Sequence, residues 1–113
     1  MLLSNIGVVL TLMLGVIAML IPQLIQSFVS IKAVGKEGVS EIRATYGGFF
    51  IGIAIYALYS QSAEVFGAIG LGWIAAALIR LLTILTGSFS PKNVVGVIFE
   101  GVIGGLCLAI ITV

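Results

Sequence analysis

Two oppositely charged residues of this sequence lie inside long apolar runs. Arg80 is part of AAALIRLLTIL, and Glu100 is part of VIFEGVIGG. A charge left alone at the centre of a lipid bilayer costs about 3 kcal/mol on insertion scales, so charges found there usually face other helices and pair. Such residues also mark ligand, ion or proton pathways in membrane proteins. We therefore predict an Arg80–Glu100 salt bridge, with either a structural or a functional role.

Spacing and direction support this pairing. Small residues occur at intervals of four beside each charge, and in membrane helices such residues mark faces on which helices approach each other. Side chains lean toward the N-terminus of their helix. Because the two helices run in opposite directions, Arg80 and Glu100 should lean toward each other. The small residues are Ala68, Gly72 and Ala76 before Arg80, with Gly96 and Gly104 on either side of Glu100.

Other polar residues are predicted to join this pair. Arg43 is the alternative partner for Glu100, and Tyr46 lies one turn further along the same helix. Glu41 has a second interpretation, because a carboxylate in the first turn of a helix suits the positive end of the helix dipole. The predicted polar cluster or ligand-binding site consists of Arg43, Tyr46, Arg80, Glu100, Glu41, Gln23 and Gln26.

The elements that hold these residues are predicted to be membrane-spanning helices. Of the 113 residues, 61% are hydrophobic and 8% are charged, and the mean hydropathy is +1.35. A spanning helix needs about 20 mostly apolar residues. We predict an all-α membrane protein, a four-transmembrane-helix bundle in a single domain over residues 1–113, with helices at about 4–28, 41–59, 65–86 and 91–113.

Local signals predict where these helices begin and bend. Ser90 followed by Pro91 is a strong helix start, because serine caps free backbone N–H groups and proline suits the first helical position. Ser40 is predicted to cap the second helix, after a polar connection that contains KAVGKEG. Pro22 lacks a backbone N–H and is predicted to kink the first helix.

Basic residues are distributed asymmetrically around the predicted spans. Lys32, Lys36 and Arg43 lie at or near the first connection, Arg80 and Lys92 flank the third, and the second connection, SQSAE, contains no base. Lys and Arg are enriched in cytoplasmic loops. We therefore expect a multi-pass protein of the cell (inner) membrane, with its basic loops in the cytoplasm and both termini on the outer side.

Glycines are predicted to let the helices approach one another closely, because close packing drives helix association in lipid. The chain has 15 of them. In the first helix, Gly7, Thr11 and Gly15 lie at intervals of four. In the other helices, the predicted packing glycines are Gly48, Gly52, Gly72, Gly96, Gly101, Gly104 and Gly105.

The run EIRATYGGFFIGIAIYAL, followed by GWIAAALIRLLTIL and a mid-helix glutamate, resembles a family of small bacterial four-helix membrane proteins catalogued as domain of unknown function 4345. That family commonly has Gly-Arg in its third helix, whereas Ile79 precedes Arg80 here. The resemblance covers most of the chain and implies a fold and a bacterial membrane location, but no activity. The residues that carry it are Arg43, Tyr46, Gly47, Gly48, Phe49, Phe50, Arg80 and Glu100.

Two functional interpretations fit these residues. In the first, the charges are a buried polar lock that fixes helix register, and the protein is a structural or accessory subunit of a homo-oligomer or larger membrane complex. In the second, they line an intramembrane cavity that binds or carries a lipid-like or anionic small ligand, with Phe49, Phe50 and Trp73 against its apolar part. A dimeric small transporter is a third alternative, although small multidrug transporters have their essential glutamate in the first helix, where this chain is uncharged.

The composition argues against other classes of protein. The sequence contains no His and no Asp, and Cys107 is its single cysteine, so neither a Ser-His-Asp triad nor a usual zinc site can be built. We therefore expect no enzymatic activity, no metal and no cofactor. A formal net charge of +1 does not suit nucleic acid, which needs a concentrated basic surface. The expected partner is the lipid bilayer.

Overall fold

The computed structural model describes residues 2–109, which form helices joined by short connections. Within this range there are no strands. Helices occupy most of the chain, and one stretch between two of them is wound as a π-helix. In chain order the elements are α1 (Leu2–Leu20), α2 (Pro22–Val29), α3 (Gly35–Ile42), the π-helical segment (Arg43–Phe49), α4 (Phe50–Ser60), α5 (Ala63–Leu85) and α6 (Pro91–Leu108).

The helices suit a membrane in both length and surface. Large apolar side chains are exposed on every spanning helix, and water-soluble proteins rarely expose apolar surface on this scale. These features indicate a small multi-pass membrane protein, and the predicted all-α fold with four membrane-length helices is confirmed. The stretches long and apolar enough to cross a membrane are Leu2–Leu20, Gly35–Ser60, Ala63–Leu85 and Pro91–Leu108.

Serine side chains begin the last two spans. The Oγ atom of Ser90 accepts a hydrogen bond from the backbone N–H of Asn93, and Pro91 occupies the first helical position, as predicted. Ser62 caps α5 in the same way through the N–H of Val65. These contacts satisfy backbone donors that would otherwise be left unpaired at a helix start.

Two predicted boundaries differ from the structure. The first span breaks at Ile21 (φ −132°, ψ 69°), directly before Pro22, which has no backbone N–H to continue the helix. The second span begins at Gly35 and not at Glu41, so the prediction that Ser40 caps it is wrong. From Gly35 onward the polar connection is helical and continues into the second span, and no proline interrupts residues 35–60. The predicted end of the fourth span, residue 113, lies outside the described residues.

The helices pack side by side in the order α5, α6, α1, α4. Gly7 permits the contact of α1 with α6, since a Cβ there would lie 2.7 Å from Sγ of Cys107. Gly15 does the same for α1 and α4, where a Cβ would lie 2.9 Å from Cγ1 of Ile51. Both predicted contacts of the first helix are therefore confirmed. The described part of the chain measures 41 × 33 × 16 Å, which makes it a flattened slab.

The predicted packing glycines of the other helices divide into two groups. Gly104 lies at a close contact, because a Cβ there would come 2.8 Å from Cγ1 of Ile74. Gly96 lies against the side chain of Arg80. For the remaining glycines, the prediction of helix contacts is wrong within the described chain, because a Cβ would find nothing within 4 Å at Gly48, Gly52, Gly72, Gly101 or Gly105.

Gly72 makes no close helix contact within the described residues because α5 turns a different face toward α6. Its buried face contains Phe66, Gly70 and Ala77, and Gly70 meets Gly104 of α6. Two residues along a helix correspond to about 200° of rotation. The predicted packing stripe therefore lies on a different, exposed face, which contains Ala68, Gly72 and Ala76.

The two basic connections lie at the same end of the slab. There, the ammonium group of Lys92 in α6 donates a hydrogen bond to the backbone carbonyl of Ser27 in α2. At the opposite end, Asn5 and Gln61 exchange two side-chain hydrogen bonds of 3.1 and 2.8 Å, which join the start of α1 to the α4–α5 connection. The spans therefore alternate in direction.

Candidate functional site

Arg80 of α5 and Glu100 of α6 form a bidentate ion pair. Nε of Arg80 lies 2.8 Å from Oε1 of Glu100, and Nη2 of Arg80 lies 3.1 Å from Oε2. The side chain of Glu100 is 12% exposed and that of Arg80 is 30% exposed. Two parallel N–H···O bonds fix the plane of the guanidinium as well as its distance, so the orientation of Arg80 is well defined.

One face of α6 is shaped around the Arg80 side chain. Gly96 provides the space, since a Cβ there would lie 2.9 Å from Cδ of Arg80 and 3.0 Å from its Nε. Oδ1 of Asn93 accepts a hydrogen bond from Nη1 of Arg80 at 3.4 Å. Nδ2 of Asn93 donates to the backbone carbonyl of Ser88 at 2.7 Å. This second bond orients the Asn93 amide so that its oxygen faces the guanidinium.

The ion pair lies in the wall of a cavity of about 1030 Å³. Small-molecule sites in proteins usually enclose roughly 300–1,000 Å³, so this cavity is at the upper end of that range. Every helix except α3 contributes to its lining, together with the π-helical segment. Most lining side chains are aliphatic or aromatic, among them Phe28, Phe49, Phe50, Ile53, Trp73 and Phe99.

Aromatic side chains connect the two walls of this cavity. Phe50 of α4 and Trp73 of α5 meet edge to face with ring centroids 5.4 Å apart, and Phe50 also meets Tyr46 at 6.0 Å. The indole Nε1 of Trp73 donates to Oγ1 of Thr11 at 3.0 Å. Because this bond satisfies the polar group of the indole, Trp73 presents an apolar ring to the cavity.

The cavity has one charged end, which is lined by Arg80, Lys92, Asn93 and Glu100. Two bases and one acid give this end a formal charge of +1. Arg80 makes three side-chain hydrogen bonds, fewer than its N–H groups can donate. The ammonium of Lys92 also carries more donors than its bond to Ser27 uses. The charged end can therefore donate hydrogen bonds to a further group.

The predicted cluster of charges is wrong, because the described residues contain a single ion pair. Arg43 is exposed, and its side chain makes no ion pair or hydrogen bond within residues 2–109. It begins the π-helical segment and, unlike Tyr46, does not line the cavity. Glu41 is exposed and accepts a hydrogen bond from Oγ1 of Thr45 at 2.8 Å. Because its helix begins at Gly35, Glu41 is not in the first turn.

Gln23 and Gln26 do not line the cavity, so their predicted place in the site is wrong. Gln23 is exposed on α2. Gln26 orders the α2–α3 connection instead: its Oε1 accepts from the N–H of Ala33 at 2.8 Å, and its backbone carbonyl accepts from the N–H of Ile31 at 3.1 Å. Tyr46 does line the cavity, on the wall formed by the π-helical segment.

Sequence reasoning missed three residues of the site. Asn93 was identifiable, because it lies two turns before Glu100 on the same face of α6. The sequence predicts for Lys92 only that it is a base in the third connection. Its place in the lining of the cavity could not be predicted, because it depends on how α2 meets α6. Thr11 was treated as a packing residue, and nothing local indicates that its hydroxyl accepts a bond from Trp73.

No family model, curated protein or solved structure matches this chain. The resemblance to the bacterial four-helix family therefore stays a prediction. Function has to be argued from the site itself, which is an apolar cavity with one charged, hydrogen-bonding end.

Proposed function

We propose that this small membrane protein binds a lipid-like molecule in its cavity. The observation that carries the proposal is a space of about 1030 Å³ that is lined mostly by apolar side chains and also by a bidentate ion pair. An amphiphile has the same division into an apolar tail and a polar head group. A purely structural role for the ion pair would account for its contact with Gly96, but not for the volume beside it.

The exposed face of α5 supports the proposal because it leaves this volume open. Ala68, Gly72 and Ala76 line the cavity and lead to Arg80 one turn further on. A Cβ built on Gly72 would find nothing within 4 Å, so this glycine does not serve a close helix contact. Empty space deprives the surrounding atoms of dispersion contacts. In a bilayer, hydrocarbon tails are the available material that restores them.

Trp73 gives a direct measure of occupancy, because it is the single tryptophan and lines the cavity. Bromine atoms quench indole fluorescence on contact. A single-chain amphiphile brominated along its tail is expected to quench Trp73 saturably when a few such molecules are added to each protein-containing nanodisc of ordinary lipid.

Two leucine substitutions provide the control for this experiment. Gly72→Leu fills the cavity, whereas Gly105→Leu adds the same side chain at an exposed glycine outside it. Saturable quenching in the wild type and in Gly105→Leu, and its loss in Gly72→Leu, would support the proposal. Quenching that rises in proportion to the added amphiphile in all three proteins would contradict it, because lipid at the outer surface behaves in that way.

We also propose that the charged end faces the cytoplasm across a bacterial inner membrane. The argument is the positive-inside rule, applied to an end of the slab that carries Lys32, Lys36 and Lys92. Lys36→Cys is expected to resist a membrane-impermeant maleimide in intact cells, and Glu64→Cys is expected to react. Cys107 is buried and gives little background. Reaction of Lys36→Cys alone would reverse the orientation.

A second candidate function, an accessory subunit in a homo-oligomer or larger complex, is favoured by one surface. Ala44, Gly48 and Gly52 form an exposed stripe on the π-helical segment and α4, and a Cβ at either glycine would find nothing within 4 Å. Such faces let membrane helices approach closely. If a second copy packs here, Gly52→Leu should convert a dimer into a monomer in native mass spectra, and a wild type that is monomeric throughout would exclude this arrangement.

A further inference from the structure

Selectivity in this cavity has to come from its charged end. A lipid tail gains little when it moves from the bilayer into an apolar cavity, because both surroundings resemble hydrocarbon and no water is released. A head group meets specific donors and charges that the bilayer interior does not provide. The identity of the occupant therefore depends on the groups around Arg80.

These groups offer hydrogen-bond donors and positive charge. The guanidinium of Arg80 holds Glu100 through Nε and Nη2, and holds Asn93 through Nη1, but it has further N–H groups. Lys92 is tied to the backbone of Ser27 by one of its donors, and it is also one of the residues that line the cavity. Within the described lining, Glu100 is the one acid, and both of its oxygens already accept bonds from Arg80.

We infer that the occupant is an anionic amphiphile whose head group, a carboxylate or a phosphate, lies between Arg80 and Lys92. This inference rests on the proposed function. One negative charge would neutralise the formal +1 of Arg80, Lys92 and Glu100, and charge-assisted hydrogen bonds are the stronger kind. A cationic head group would face two like charges, and a neutral one would leave the net charge uncompensated.

Probes with one brominated tail and different head groups separate recognition of the head from filling of the cavity. The probes are a fatty acid, a monoalkyl phosphate, a fatty acid methyl ester and an alkyl trimethylammonium. Each is titrated against Trp73 fluorescence in nanodiscs of uncharged lipid. Hydrogen bonds to charged groups are strong enough for the two anions to bind about tenfold more tightly than the methyl ester. The cation is expected to bind most weakly.

A matched pair of variants tests the position of the head group. Lys92→Gln keeps a donor for the Ser27 carbonyl but removes the charge, and it is expected to lose most of the tenfold preference for anions while the methyl ester binds as before. Lys36→Gln removes a base that is exposed and does not line the cavity, and it should keep the preference. Inorganic phosphate added alone should not displace the anionic probes, because the tail is part of the ligand.

The outcomes distinguish this inference from the proposed function. Saturable binding with equal affinity for the ester and the anions would overturn the inference and leave the proposed function intact. Absence of saturable quenching by every probe would overturn both. A preference for anions that survives in Lys92→Gln would overturn the placement of the head group beside Lys92, whether or not Lys36→Gln keeps that preference. Displacement by inorganic phosphate would identify a site for a free anion instead.

Discussion

Two faces of α5 use small residues in opposite ways. Toward α6, Gly70 and Gly104 face each other so closely that a Cβ on either glycine would lie 3.0 Å from the carbonyl oxygen of the other. Toward α4, Gly72 has open space around it, and the helices meet through the edge-to-face contact of Phe50 with Trp73. The first face is closed by packing, and the second lines a cavity.

The difference shows that a small residue in a membrane helix permits a close contact but does not create one. The facing helix decides the result. α6 presents a glycine to Gly70, so the two backbones touch. The π-helical segment and α4 contribute large rings to the cavity that Gly72 lines, among them Phe49 and Phe50, whose centroids lie 6.5 Å apart. Phe50 meets Trp73 of α5 across the gap between the helices, and volume is left beside this contact.

The largest expected effect comes from removing one charge of the ion pair that joins α5 to α6. Arg80→Ala leaves Glu100 without its partner in mostly apolar surroundings, and should lower the free energy of unfolding by about 3 kcal/mol. The double variant Arg80→Ala/Glu100→Ala should recover most of this loss. Titration with sodium dodecyl sulfate, followed by circular dichroism, measures the change. Arg43→Ala is the control, and an equal loss in that exposed variant would refute the explanation.

A smaller loss is expected from a methyl group placed in the packed face itself. Gly104→Ala puts a Cβ 2.8 Å from Cγ1 of Ile74 and 3.0 Å from the carbonyl oxygen of Gly70. Because a backbone atom cannot move away cheaply, we expect the free energy of unfolding to fall by about 2 kcal/mol. Gly105→Ala, at the adjacent residue with no described atom within 4 Å, should keep its stability or gain up to about 1 kcal/mol in the same titration. A similar loss in both variants would show that the contact is not the cause.

Gly96→Ala should have a still smaller effect, because it displaces a side chain and not a backbone. Its Cβ would lie 2.9 Å from Cδ of Arg80, and the flexible arginine can move at the expense of its geometry with Glu100. We expect a loss of about 1 kcal/mol. The loss should disappear in an Arg80→Ala background, since contacting residues are not additive. Gly101→Ala is the control at a glycine in open space. If the losses from Gly96→Ala and Arg80→Ala were additive in the double variant, the contact between Gly96 and Arg80 would not be the cause.

The two faces of α5 are compared most directly by alanine substitutions at Gly72 and Gly70. The substitution on the cavity side, Gly72→Ala, is expected to change stability least. Gly72→Ala removes a flexible residue from a helix without meeting any atom within 4 Å, so the free energy of unfolding should stay equal or rise by up to about 1 kcal/mol. Gly70→Ala should destabilise the protein, because its Cβ would lie 2.7 Å from Cγ of Leu108. Thermal unfolding in detergent compares the two variants. Equal unfolding midpoints would contradict the claim that α5 is closely packed at Gly70 and open at Gly72.

Local physics accounts for the features that could be predicted from the sequence. Apolar runs of membrane length predict the four spans, and the serine–proline signal at Ser90 and Pro91 predicts the start of α6. The cost of a lone charge in lipid predicts that Arg80 and Glu100 approach each other. The packing face of α5 could not be predicted, because Gly70 and Gly72 both belong to helical stripes and the choice depends on α6.

The misplaced site residues have a different cause, which is the local course of the backbone. Arg43 begins the π-helical segment and does not line the cavity, and the early helix start at Gly35 places Glu41 outside the first turn. The side chain of Gln26 bonds to its own connection and not to the site. None of these placements follows from residue types alone, because each depends on where a helix begins, how it is wound or how a connection folds.

The flattened shape has a consequence for how a ligand would arrive. A helix with its side chains is about 10–12 Å across. A slab with a shortest dimension of 16 Å is therefore less than two helices deep. Its cavity would lie close to the acyl chains of a surrounding bilayer. Under the proposed function, an occupant would reach it by two-dimensional diffusion within its own leaflet, without passing through water. Loading would then follow the mole fraction of the amphiphile in that leaflet, and compounds with negligible aqueous solubility would bind as readily as soluble ones.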